Sequence, residues 1–495
     1  MWIFLLITLC TICNGLAYKA AVVEYYPSTE AQPMDTIKKN IEEYRTYVDS
    51  ARKQSVDIIV FPEYGLTTLT KDPEEYAVEI TSTNEIISKL STLAKEHEMY
   101  LVINLLEKET IANQIYYYNT NLVFDRNGTT IAKYRKINLF DEAKLTPGSH
   151  NQTNTFLTDF GVTFGIFTCF DILFKSPSRT VLESTKVTDI VYPTAWISII
   201  PFYHSLSVQH GYAVANGVNL LAANYAKPNA GRGGSGIYLT DGKIAEKYIG
   251  DTASTKLIVQ EVGKQSTRED RTKCPTRLPF GLPSDLGKSN VSNYMALTAF
   301  TASDYTFQNI NLTQGNISET VCHKNFCCNF DLKLDPNNVI ASEHYKLMAY
   351  DGMVNYNEIQ LHIRTCSLLF CENDSNDSCG KRQETTSTKF TKITVSGNLP
   401  TDNTTFYTPV TLNTYLLTIP QIPYCDTQNG TDTTYVQLST PKAQQNLLVF
   451  GLLGHTQAPI DDHNDNGDDD DGNSAVKASS LLLLVVLSVV KCLLY

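Results

Sequence analysis

MDTIKKNIEEYRTYVDSARKQSVDIIVFPE, running from Met34 to Glu63, changes its periodicity once. Ile37, Ile41, Tyr44, Val48 and Ala51 recur at steps of four and three, which sets them on one face of a helix. VDIIVF (Val56 to Phe61) then drops that spacing for an unbroken apolar run, as a strand buried on both faces requires. An amphipathic helix feeding a buried strand is the repeating unit of α/β layering. The unit recurs: Ile86, Ile87, Leu90, Leu93 and Ala94 mark a second helix, and YLVINLL (Tyr100 to Leu106) a second strand. Asn127-Gly128 and Asp241-Gly242 each sit between strand-like runs, and both residue types tolerate the positive φ of a tight hairpin. Antiparallel hairpins therefore join the parallel units, and the alternation holds from about residue 18 to 285.

Beyond residue 286 the pattern changes. Thr, Asn and Ser become frequent, and short strand-like runs such as YTPVTLNTYLLTI (Tyr407 to Ile419) dominate, which implies a β-rich second domain over 286–458. Two domains also suit a chain of 495 residues, and 42 % apolar with 19 % charged residues is ordinary globular usage, excluding a disordered or collagenous chain. Net charge is −12, with seven Asp between Asp461 and Asp471. That balance makes nucleic acid an unsuitable partner. Residues 459–472 (ending DDHNDNGDDDDG) read as a solvated acidic stalk.

Both ends carry processing signals. Trp2 to Cys10 is apolar and is followed by Gly15-Leu16-Ala17, so 1–17 read as a secretory leader. Leu481 to Tyr495 is apolar over only fifteen residues and contains Lys491, against about 20 residues for a span. Small residues at Gly472 and Asn473, a spacer and that tail compose a glycolipid-anchor signal, with 473–495 removed and the membrane reached through the lipid at the outer cell surface. Of twelve Cys, Cys10, Cys13 and Cys492 fall in discarded segments. Cys274, Cys322, Cys327, Cys328, Cys366, Cys371, Cys379 and Cys425 form an even set able to make four disulfides in an oxidising compartment, with pairings the spacing does not decide. Cys169 is left alone. Nine Asn-x-Ser/Thr sequons, at Asn127, Asn151, Asn290, Asn311, Asn316, Asn373, Asn376, Asn403 and Asn429, suit a glycosylated surface protein.

Three residues could carry chemistry, each just after a strand-like run: Glu63 after VDIIVFP, Lys136 after TIAKYR, Cys169 after GVTFGIFT. In α/β sheets the carboxyl ends of strands gather at one edge, where ligands bind. A thiolate to attack a carbonyl, a carboxylate to move the proton and an ammonium to hold the oxyanion form a complete hydrolytic set. Each also has a plainer reading. Cys169 could be a small buried hydrophobe, Glu63 a helix cap or structural partner, and Lys136 part of a solvated basic face with Lys133 and Arg135.

Taken together, the strings FPEYG (Phe61 to Gly65), KYRKINLFDE (Lys133 to Glu142), FGIFTCFDILF (Phe164 to Phe174) and YPTAW (Tyr192 to Trp196) resemble, in order, the motifs of the nitrilase superfamily, within it the vanin and biotinidase branch of secreted amidohydrolases. That resemblance implies an αββα sandwich over 18–285 followed by a β-rich, disulfide-bonded base domain. It implies Glu63 as general base, Lys136 as oxyanion stabiliser, Cys169 as nucleophile, Glu142 as a supporting carboxylate and the Phe170 amide as a second oxyanion donor. The implied reaction is hydrolysis of a small linear amide through a thioester, without metal or cofactor. Pantetheine and a biotinyl amide both remain open as substrates, the anchor signal favouring the vanin side; a catalytically idle surface binding or adhesion protein is the reading from another class.

Other patterns are set aside. Gly231, Gly233 and Gly236 spell G-x-G-x-x-G, but a strand-like run follows in place of a helix, so this reads as a flexible loop. Asp462, Asn464 and Asn466 imitate half a calcium loop whose last ligand position holds Asn473. His204 and His210 are expected near the rim of the site, with no role assigned.

Overall fold

The computed structural model describes residues 16–183, 186–274, 289, 291–298, 302–340, 342–356, 359–382, 386–402, 404–420, 422–440 and 442–456. The leader up to residue 15, Asn290, Asn403, the acidic stalk with its calcium-like half-loop, and Gly472, Asn473 and the tail lie outside the described residues.

The N-terminal strands are β1 (Ala17–Glu24), β2 (Ile58–Val60), β3 (Tyr100–Ile111), β4 (Gln114–Phe124), β5 (Thr130–Arg135), β6 (Thr155–Leu157) and β7 (Thr163–Ile166). They continue with β8 (Asp189–Thr194), β9 (Ile199–Ile200), β10 (Asn219–Asn224), β11 (Ser235–Tyr238), β12 (Ile244–Tyr248) and β13 (Lys256–Gly263). One sheet runs β13-β1-β2-β3-β4-β5 and the other β12-β11-β10-β8-β7-β6. Strand alternation divides the side chains between two cores. Ala20, Val22, Ile58, Val60 and Val102 face the second sheet's Phe164, Ile166, Ile190 and Leu220. Their neighbours Ala21, Val23, Ile59, Leu101 and Ile103 face the helices.

Those helices are α1 (Pro33–Lys53) and α2 (Glu85–His97), which bury the periodic residues named above. Pro33 starts α1 where no N–H is needed, and the Asn84 side chain caps α2 by accepting from the Ile86 amide at 3.0 Å. On the other face α3 (Ser205–Asn216) is buried on every side, because the second domain covers it. A Cβ on Gly211 of α3 would stand 2.1 Å from the Pro409 carbonyl, so only glycine lets that strand approach. The αββα sandwich is therefore present, its second helical layer enclosed between a sheet and the C-terminal domain.

That domain holds two five-stranded antiparallel sheets. One is ordered Thr306–Asn309, His344–Tyr356, Ile359–Cys371, Leu447–Thr456 and Phe406–Asn413; the other Asn316–His323, Phe326–Leu334, Phe390–Pro400, Thr433–Ser439 and Tyr424–Gln428. The run from Tyr407 to Ile419 is thus a strand only as far as Asn413, after which Leu416 turns at φ 58°. Cysteine sulfurs stand at bonding distance in four pairs, Cys274–Cys425, Cys322–Cys327, Cys328–Cys366 and Cys371–Cys379. Asn127, Asn151, Asn311, Asn316, Asn373, Asn376 and Asn429 are all exposed.

Candidate active site

Glu63 follows β2, Lys136 follows β5 and Cys169 follows β7. β2 and β3 are parallel, and two antiparallel hairpins bring β5 back to the direction of β3, so Glu63 and Lys136 emerge at one sheet edge. The Lys136 ammonium donates to Glu63 Oε1 at 2.9 Å and to Glu142 Oε2 at 2.6 Å. All three are enclosed: Lys136 is 2 % and Glu63 1 % exposed. The solvated-face reading of Lys136 is therefore excluded, and Lys133 and Arg135 instead reach Glu107. Burial opposes the Lys136 charge, but Glu142 and Glu63 outweigh it and hold the ammonium well above its usual pKa. Burial likewise works against the Glu142 charge, yet Lys136 and hydrogen bonds from Tyr64 and Asn119 keep that carboxyl below its usual range.

Cys169 is the free cysteine among the described residues and is buried. It opens the short helical turn Cys169–Leu173 with φ 47°, in the left-handed region that side chains rarely adopt. The turn is pinned from several sides. Thr168 and Asp171 form a capping box, Tyr134 donates to Asp171 at 2.7 Å, and the Tyr192 hydroxyl donates to the Cys169 carbonyl at 2.7 Å. Phe170 lies in the first turn, where N–H groups lack an acceptor within the helix. Burial and then the Glu63 charge push the thiol pKa well up, while Lys136, the Thr194 hydroxyl and the Ala195 amide favour the thiolate. The resting thiol is thus neutral beside an anionic carboxylate, a pair suited to proton transfer during attack. Ala195 joins the two groups, since its amide also donates to Glu63 Oε2 at 2.8 Å.

Several residues missed in the sequence complete the arrangement. Asn119 donates to both Glu63 Oε1 and Glu142 Oε1 at 2.8 Å. Asn104 donates to Asn119 at 2.6 Å and to Asn121 at 2.9 Å, and Asn121 reaches Thr168 at 2.8 Å, beside Cys169. Their signal was Asn104 within the apolar run of β3 and the alternating Asn119 and Asn121 in β4. Two expectations are corrected. His204 and His210 are not at a rim: both are fully buried, and burial pulls their imidazoles down to about 3 and about 4. The Gly231–Gly236 segment is no flexible loop, because it is buried and Glu24 accepts from the Gly234 amide at 2.8 Å and the Ser235 hydroxyl at 2.9 Å.

Both domains of the chain resemble known proteins. Residues 19–272 match the carbon-nitrogen hydrolase family, and residues 294–459 match the Vanin C-terminal domain. The chain belongs to the carbon-nitrogen hydrolase family, in the vanin branch of the nitrilase superfamily, and is an enzyme of amide hydrolysis. Vanin-like protein 1 of Drosophila melanogaster is 31 % identical over 506 residues, covering 92 % of this chain and 90 % of the relative. Human pantetheinase is 30 % identical over 402 residues, 76 % of each chain. A crystal structure from Saccharomyces cerevisiae, of a member of branch 10 of the nitrilase superfamily, is 22 % identical with a TM-score of 0.44, covering 51 % of this chain and 92 % of that one.

Proposed function

We propose that the chain hydrolyses pantetheine or a close relative through a thioester on Cys169. As Sγ bonds to the amide carbon, Glu63 takes the thiol proton, and the carbonyl oxygen gains its charge between the Lys136 ammonium and the Phe170 amide. The C–N bond then breaks and Glu63 returns the proton to the departing amine. Water attacks the thioester carbon and gives its proton to Glu63; the C–S bond then breaks and Glu63 passes the proton to the leaving thiolate, which releases the acid and restores the thiol and the carboxylate. Glu142 holds Lys136 in place. The observation that carries this reading is the Ala195 amide, which touches Glu63 and lies against the Cys169 sulfur, so that base and nucleophile face one spot. An idle binding protein has no physical reason to keep a buried charged pair beside a free thiol.

Relatives named pantetheinase support pantetheine as the substrate, giving pantothenate and cysteamine. Purified protein offered pantetheine, biocytin and simple amides should release amine fastest from pantetheine and carry the acyl mass on the Cys169 peptide. Faster release from biocytin would move the assignment to a biotinyl amide, and turnover by Cys169→Ala would overturn the mechanism. Four cysteine pairs and seven exposed sequon asparagines support an extracellular setting. The lipid anchor near Gly472 or Asn473 is part of the same proposal; a phosphatidylinositol-specific phospholipase should release active protein from intact cells, and retention with the tail still present would refute it.

A further inference from the structure

Arg232 lies inside the glycine-rich segment and is 7 % exposed. Its Nε donates to the Ala195 carbonyl at 3.2 Å, and the amide of that same residue holds Glu63. A guanidinium has five N–H donors. Among the described residues the two Nη groups meet no acceptor, and no carboxylate comes within ion-pair distance. Lys227, half-buried and also without an ion pair among the described residues, exchanges backbone hydrogen bonds with Arg232 at 3.1 Å in each direction. Burial lowers the pKa of both side chains, and the Arg232 charge lowers Lys227 further. Two cations thus stand side by side, short of counter-charge, one residue from the catalytic carboxylate. The Nη groups are not among the fully enclosed polar atoms, so they stay open to a ligand while the rest of the side chain is buried.

The backbone beneath them is built to stay put. Gly231, Gly233 and Gly234 all have positive φ, and a Cβ on Gly234 would stand 2.2 Å from the Ser205 hydroxyl. Tyr294 donates to the Gly231 carbonyl at 2.9 Å, and Glu24 grips the next turn. Beside Ala195, Tyr64 and Tyr225 pack with Leu69, Tyr117 and Leu145 as an apolar wall. The surroundings of the thiol therefore combine one apolar side with one unpaired guanidinium on a rigid support.

We infer that Arg232, with Lys227 behind it, binds an anionic group, a carboxylate or a phosphate, carried by the amide substrate. The inference rests on the amidase reading of Cys169 and departs from pantetheine itself, which is neutral, toward anionic relatives of it. A residue that merely props Ala195, or tunes the thiol, would affect neutral and anionic partners alike. Selectivity for charge is the distinguishing readout.

Alkylation of Cys169 by iodoacetate and by iodoacetamide, followed on its own peptide by mass spectrometry, isolates that selectivity, since both reagents draw on the same thiolate. Wild type should favour iodoacetate relative to a free small thiol, and Arg232→Met should cut the rate ratio roughly tenfold to a hundredfold, the worth of a charged hydrogen bond, with Arg232→Lys recovering part. In turnover, succinamate against butyramide tests a carboxylate, and 4′-phosphopantetheine against pantetheine a phosphate, each as a kcat/KM ratio that falls in Arg232→Met. A wild-type alkylation ratio equal to that of the free thiol, or one unmoved by Arg232→Met, overturns the inference. Should Arg232→Met not fold, Lys227→Met and protection of wild-type Cys169 from iodoacetamide by succinate or phosphate, against chloride at equal ionic strength, decide it. Charge-selective alkylation with every amide left intact would sink the amidase reading and leave the anion site standing; neutral amides cleaved without charge preference would do the reverse.

Discussion

Replacing Glu63 by Gln changes one oxygen for an amide and leaves the volume almost unaltered, so its consequences follow from hydrogen bonding and charge. Glu63 Oε1 accepts from Lys136 at 2.9 Å and Asn119 at 2.8 Å, and Oε2 accepts from Ala195 at 2.8 Å. All three partners are donors. A glutamine must therefore turn its NH2 toward one of these groups, and the lesser conflict lies at Ala195, where a single donor is opposed. One buried N–H left without an acceptor costs about 1–3 kcal/mol of stability. Turnover should fall by roughly 10²–10⁴, the ordinary worth of a positioned general base. The thiol should respond in the opposite sense. Burial and the Glu63 charge together push the Cys169 pKa up, so neutralising Glu63 must bring it down and increase the thiolate fraction at a given pH. Glu63→Gln is thus expected to be nearly inert toward amides while its thiol titrates, in an iodoacetamide rate-against-pH assay, at lower pH than wild type. Hydrolysis retained within tenfold would refute the general-base role, and a thiol pKa that rises would refute the electrostatic account.

Three further outcomes are expected. Lys136→Met should lower the urea-unfolding free energy by about 3–5 kcal/mol as well as abolish turnover, because it leaves Glu63 and Glu142 buried without their shared cation; a variant as stable as wild type would contradict the buried-pair argument. Glu24 has its pKa raised by burial to about 8 from 4.5, so it is protonated in the fold over a range where the unfolded chain releases the proton. Its contribution is fully present below about pH 4.5 and is lost as pH rises through about 8; Glu24→Gln should flatten that decline in a series of thermal melts, and an unchanged pH dependence would show that Glu24 is not its source. Mass mapping without reduction should return Cys169 as a free thiol and the four pairs within residues 274 to 425, whereas a bridge reaching Cys169 would end the nucleophile assignment.

Short-range pattern reveals some of this architecture and long-range register the rest. Glu63, Lys136 and Cys169 stood out because each follows a strand within a few residues, and strand ends converge at one edge whatever the intervening chain does. Asn119 could not be found the same way. Its place beneath Glu63 and Glu142 depends on the β3–β4 hairpin setting Asn104 opposite Asn121, a pairing that periodicity does not specify. The histidines failed for a different reason: α3 is covered by Phe406–Asn413, and His210 is buried between Gly242 of its own domain at 2.8 Å and Thr418 of the second at 3.1 Å. Arg232 was passed over inside a glycine pattern read as a flexible loop. What the glycines provide is positive φ and close packing, which any rigid platform can use.

The charge arrangement also explains why a second carboxylate belongs at this site. Lys136 serves two carboxylates, not one. Glu142, at 2.6 Å against 2.9 Å for Glu63, takes the shorter contact with the ammonium. Glu63 accepts in addition from Asn119 and Ala195, both neutral donors. The ammonium has three N–H groups, and two are committed to carboxylates. The third is left for the oxygen that becomes negative during attack. Burial first, and the Glu63 charge second, disfavour a thiolate and hold Cys169 neutral until the carbonyl arrives. In the proposed mechanism, transfer of the thiol proton to Glu63 moves the carboxylate's negative charge onto the oxyanion beside Lys136, so the chemical step relocates charge within a fixed set of donors and requires no new charge to be buried.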